Sequence, residues 1–112
     1  MPYLISGYGP DDHSNITLYD FQDVPLWSSS IPNPSFLCQA GNLLFAVGEF
    51  EDYCTVTSFL QDSSSSHPSW KKIDTIRLKG TCLCHLHAME KEHFLAGSCW
   101  GDGTFFTLSY DE

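Results

Sequence analysis

The sequence predicts an all-β chain of short antiparallel strands. Three observations carry this. Aromatic residues reach 14%, and Val, Ile, Thr, Phe and Tyr fill the apolar segments, as suits a pleated, half-buried surface. No apolar pattern at i, i+3, i+4, i+7 is sustained anywhere. Short apolar or alternating runs instead follow one another, each closed by turn residues.

Taken in order, the runs are YLISGY (3–8), NITLYDF (15–21), VPLWSSSI (24–31), SFLCQA (35–40), LLFAVGEF (43–50), YCTVTSFL (53–60), WKKIDTIRL (70–78), CLCHLHA (82–88), HFLAGSCW (93–100) and TFFTLSY (104–110). Between them stand GPDDHS, AGN, EFED, DSSSSHPS, MEKE and GDG. These are turn and loop compositions.

An internal repeat organises the strands. At an offset of 49, SFLCQAGNLLFAVGE (35–49) lies over CHLHAMEKEHFLAGS (84–98), so that Leu37 meets Leu86, Phe45 meets Phe94 and Gly48 meets Gly97. An outer hairpin occurs near 3–20, 43–60 and 93–110. A period of about 40 to 50 residues with four strands per unit marks antiparallel β-propeller blades. The phase gives one complete four-stranded blade within 33–80. It is flanked by an incomplete blade in 1–32, lacking its first strand, and another in 81–112, lacking its last. The chain is accordingly expected to be the N-terminal fragment of a larger propeller.

Composition limits the function. A chain of 112 residues suits one small domain. Five Lys and Arg oppose 14 Asp and Glu, for a net charge of −9. Nucleic acid needs clustered cations, so it is set aside as a partner, as are anionic membranes. No apolar run reaches a membrane span, and MPYLISGYGPDD lacks a signal-peptide pattern. The five cysteines lack framework spacing and read as reduced thiols, which implies a cytoplasmic location.

The stretch TCLCHLHAM (81–89) raises a metal site as one possibility. On a straight strand, alternation places Cys82, Cys84 and Leu86 on one face and Leu83, His85 and His87 on the other. Neither face alone supplies the four converging ligands of a zinc site, so no metal and no cofactor is expected. The cysteines fit burial as small hydrophobes. Lys71, Lys72, Arg77 and Lys79 fall on or beside an outermost strand, where lysines discourage edge pairing.

Four stretches in order resemble one family: NPSFL (33–37), LLFAVGE (43–49), CHL (84–86) and HFLAGSCWGDGTFFTL (93–108). They are similar to motifs of the lactonase family of seven-bladed β-propellers, relatives of 6-phosphogluconolactonase, and the likeness runs from about residue 3 to 110. This sequence departs at Leu83, where the family has Pro, at Gly48, where it has Asn, and at Ser98-Cys99-Trp100, where it has Ala-Asn-Tyr. The resemblance implies a carboxylic-ester hydrolase of carbohydrate metabolism that opens a sugar-acid lactone such as 6-phosphogluconolactone. It places His85 and Glu49 as catalytic residues and Asn33 and Trp100 as substrate-binding ones. His85 would serve as general base, facing the propeller's channel. The substrate's cationic grip would come from other blades, so this chain alone is expected to lack a complete site. The alternatives are a non-catalytic propeller interaction module or remnant, and a metal module. Open blade edges and faces also predict self-association.

Overall fold

The computed structural model describes residues 3–7, 15–64, 68–79, 83–99, 101 and 103–111. Among them run ten strands and no helix: β1 (Tyr3–Gly7), β2 (Asn15–Tyr19), β3 (Pro25–Ser29), β4 (Pro34–Ala40), β5 (Leu43–Glu49), β6 (Tyr53–Gln61), β7 (Trp70–Lys79), β8 (Leu83–Met89), β9 (Phe94–Cys99) and β10 (Thr104–Ser109). They form three antiparallel sheets in chain order: β1-β2-β3, β4-β5-β6-β7 and β8-β9-β10. A four-stranded sheet thus sits between two three-stranded ones, a propeller-like arrangement.

Local chemistry sets the hairpins. At the β2–β3 turn, one Asp20 carboxylate oxygen accepts bonds from the amides of Gln22 (2.8 Å) and Val24 (3.0 Å). That lets Asp23 take a φ of 64°, as Asx turns allow. The two-residue β4–β5 turn uses Gly41 at φ 58°, a conformation that costs glycine little.

The core lies between the sheets. β5 is buried on both faces, because a central strand in a central layer meets apolar neighbours either way. Its Leu44 and Ala46 join Ile16, Leu18, Ile31, Phe59 and Trp70 between the first and second sheets. Its Leu43, Phe45 and Val47 join Cys54, Val56, Leu86, Leu95 and Cys99 between the second and third. The ring of Trp27 meets Phe59 edge-on at 5.9 Å and Trp70 at 5.3 Å.

The sheets confirm one part of the repeat and shift another. Both first strands carry a register shift at the same place, between Pro34 and Phe36 in β4 and between Leu83 and His85 in β8. Leu37 pairs with Ala46, and Leu86 with Gly97. Leu37 and Leu86 are therefore equivalent, whereas the counterpart of Gly97 is Ala46, not Gly48. By the same pairing Phe94 answers to Leu43, not Phe45. The cause is the turn: two residues separate Ala40 from Leu43, and four separate Met89 from Phe94. The next hairpin compensates, with Gly48 opposite Thr55 but Cys99 opposite Thr104.

Candidate functional site

β4 and β8 are the first strands of their sheets and lie side by side. Their contacts advance together along both chains. The rings of Phe36 and His85 are 5.6 Å apart, Cys38 meets the backbone of Ala88, and the Gly41 amide donates to Glu90 Oε1 at 3.1 Å. The two strands are thus parallel neighbours, and His85 lies beside the start of β4.

The same end collects two more of the sequence-predicted residues. Asn33 directly precedes β4 and has a φ of 48°, a left-handed conformation that asparagine tolerates. Its carbonyl accepts the amide of Glu49, the last residue of β5, at 3.0 Å. Asn33 and Glu49 are each half-buried, and His85 is exposed. The buried Gly48 keeps this corner tight, because a Cβ there would meet the Pro32 carbonyl oxygen at 2.9 Å.

His85 also borders an open groove on the third sheet, together with Ala96, Gly97, Ser98, Phe105, Phe106 and Thr107. Cross-strand pairing puts His85, Ser98 and Phe105 in one row. The equivalent row of the second sheet is Phe36, Val47 and Val56, which faces the third sheet. Trp100, the other predicted binding residue, lies outside the described residues.

TCLCHLHAM does not run as a straight strand. The pairing shift between Leu83 and His85 means that strict alternation stops there, as at any bulge. Sequence reasoning assumed an unbroken strand, and nothing in the stretch itself signals the shift, which arises from its pairing with β9. Cys82 and the side chain of Cys84 lie outside the described residues. Among the described residues, no group of three or more His, Cys, Asp or Glu is placed to hold a metal ion. Cys38, Cys54 and Cys99 are not in disulfides, and the Cys54 thiol donates to the Leu78 carbonyl at 3.9 Å. Burial pushes the Cys38 thiol above its ordinary 9.0, and the nearby Glu90 charge adds to this, against an opposing bond with the Ala88 backbone.

The cations stand elsewhere. Lys71, Lys72, Arg77 and Lys79 belong to β7, the outermost strand of its sheet, and Lys91 to the β8–β9 turn. The Arg77 guanidinium sits 3.7 Å over the Tyr53 ring, and Lys72 donates to the Ser30 carbonyl at 3.1 Å.

No family model matches the chain, and no curated protein matches it either. Among solved structures it is similar to the crystal structure of a protein from Lactobacillus plantarum, at 15% identity and a TM-score of 0.62. The match covers 97% of this chain and 37% of that one. The chain therefore spans little more than a third of that neighbour's length. This likeness shows the fold alone. No helix among the described residues is long and apolar enough to cross a membrane.

Proposed function

We propose that the chain is the part of a lactonase-type propeller hydrolase that carries an acid–base pair, acting on a sugar-acid lactone such as 6-phosphogluconolactone. One observation carries the reading: Asn33, Glu49 and His85 sit at one end of the neighbouring strands β4, β5 and β8, with Asn33 and Glu49 joined through their backbones. On this reading His85 takes a proton from the attacking water and Glu49 orients the imidazole or the substrate. The cations on β7 are far out on the sheet, so a phosphorylated substrate would be gripped by residues of other blades.

The test is proton release from 6-phosphogluconolactone by the protein purified from its source cell. His85→Ala should lower the rate by about 100-fold or more, the usual worth of a positioned base. An unchanged rate would remove His85 from the mechanism. No hydrolysis by the wild type would remove the enzyme reading altogether. The competing reading, a non-catalytic interaction module, is favoured by Phe105, which is 82% exposed on the open face of the third sheet.

A further inference from the structure

The face that β7 turns toward the first sheet is a second feature, independent of the lactonase reading. Four of the chain's five Lys and Arg stand on β7, in a chain of net charge −9. β7 ends the four-stranded second sheet, and β3 ends the first sheet beside it. By the repeat, further blades would stack on the free faces of the first and third sheets, not between the first and second.

Cross-strand pairing assigns the side chains of this face. Lys72 lies opposite Phe59, and Phe59 opposite Leu44, both packed toward the first sheet. Lys72 accordingly reaches the Ser30 carbonyl. Thr75 lies opposite Thr57, and Thr57 opposite Ala46, which packs the same way. Alternation from Thr75 adds Arg77 and Lys79. The register shift between Lys72 and Asp74 decides this set. Unbroken alternation would put Asp74 beside Lys72 and send Arg77 and Lys79 to the other face. With the shift, Asp74 joins Ser58 and Phe45 on the side of the third sheet, and Lys71 points there too, opposite Leu60 and Leu43.

The result is a face with three cations and no strand carboxylate. β1, β2, β3 and β6 contain no Asp or Glu. Glu49 of β5 pairs with Cys54, which packs toward the third sheet. Lys72, Arg77 and Lys79 are all exposed. Arg77 is also held in place. Its guanidinium lies 3.7 Å over the Tyr53 ring, and that ring stacks on Phe50 at 4.5 Å, 8° from parallel. The stack takes the flat face of the guanidinium and leaves the N–H groups at its rim, where a carboxylate is received side-on. Arg77 and Lys79 are two strand positions apart, about 6.6 Å. Carboxylates at alternate positions of an extended peptide have the same spacing.

We propose that this face of β7 binds an extended acidic segment of a partner protein. One carboxylate takes the Arg77 fork, and another, two residues along, takes Lys79. Glu51 and Asp52, on the β5–β6 turn beside Tyr53, repel the segment at that end, so it runs back along β7 toward Lys72. Side chains carry the recognition. Pairing at the β7 edge takes no part, because the lysines guard it.

The experiment is fluorescence anisotropy of a labelled eight-residue peptide alternating Glu and Thr, titrated with the protein. A second peptide of the same composition, with Glu in adjacent pairs separated by Thr pairs, has the same charge but the wrong spacing. Saturable binding of the first is expected, weakening as salt rises. The second should bind about tenfold more weakly, the worth of one charge-assisted contact. Arg77→Gln and Lys79→Gln should each weaken the first peptide about tenfold on the same ground. Tyr53→Leu should weaken it as well, since it releases the guanidinium without changing any charge. Lys71→Gln removes an equal charge from the other face and should leave the affinity unchanged. No saturable binding, equal affinity for the two peptides, or a Lys71→Gln loss as large as that of Arg77→Gln overturns the proposal. So does sedimentation showing a dimer of this chain that excludes the peptide, since a second copy would then own the face.

Discussion

Phe59→Ala tests whether the sheets share a true core. Phe59 is fully buried between the first and second sheets, edge-on to Trp27. Truncating such a ring costs about 3–5 kcal/mol, of which the aromatic contact supplies about 0.5–1.5. A small domain holds only about 5–15 kcal/mol in total, so the loss is a large share of it. At about 4 °C per kcal/mol, the thermal midpoint should fall by about 12–20 °C. The control is Phe105→Ala, because Phe105 is 82% exposed. Its cost should stay within about 0.5 kcal/mol. Urea unfolding followed by tryptophan fluorescence reads both, since Trp27 and Trp70 lie against Phe59's cluster. A cost below about 1 kcal/mol for Phe59→Ala, or equal costs for the two changes, would refute a packed interface between these sheets.

Three further outcomes are expected. The Trp70 indole N–H is buried with no acceptor among the described residues. Trp70→Phe should therefore cost less than about 1 kcal/mol in urea unfolding, since relieving that N–H offsets the lost area. Because burial raises the Cys38 thiol, the folded state holds that proton more tightly than the unfolded chain. Its contribution to stability is complete below pH 9 and is lost as pH rises beyond it. Alkylation of Cys38 at neutral pH, followed by mass spectrometry, should be slower than that of a free cysteine, and Glu90→Gln should speed it. Arg77→Ala should cost about 0.5–1 kcal/mol, the worth of an exposed cation–π contact, as a double-mutant cycle with Tyr53→Leu would measure.

The strands were legible because their signals are local. Alternating runs such as YCTVTSFL and the breakers between them set each strand's ends to within about two residues of those observed. The sheet partition followed from the repeat. Three things were not legible. The register of Phe94 and Gly97 depends on the length of the β8–β9 turn, which an ungapped offset hides. The irregularity before His85 depends on pairing with β9, which a single strand does not announce. The proximity of Asn33 to Glu49 is a backbone bond between a loop and a strand end, which side-chain identities do not encode.

The candidate site falls where the repeat changes its chemistry. On the second sheet, Phe36 and Cys38 turn toward the third sheet and help seal its core. The same positions on the third sheet are His85 and His87, and the Val47 position is Ser98. The backbone repeats there, down to the register shift, while the side chains pass from apolar to polar. A core position has no use for imidazole, because an unpaired buried ring carries a desolvation cost. His85 and His87 are both exposed, so they incur none. The face of the third sheet thus departs from inter-sheet packing on its inner rows and keeps an apolar side chain at Phe105. An enzyme would use the first strand's imidazole, and a binding module would use the aromatic. Hydrolysis measured on His85→Ala beside Phe105→Ala separates the two uses, since the residues lie on opposite edge strands of one sheet and only the first change should slow an enzyme.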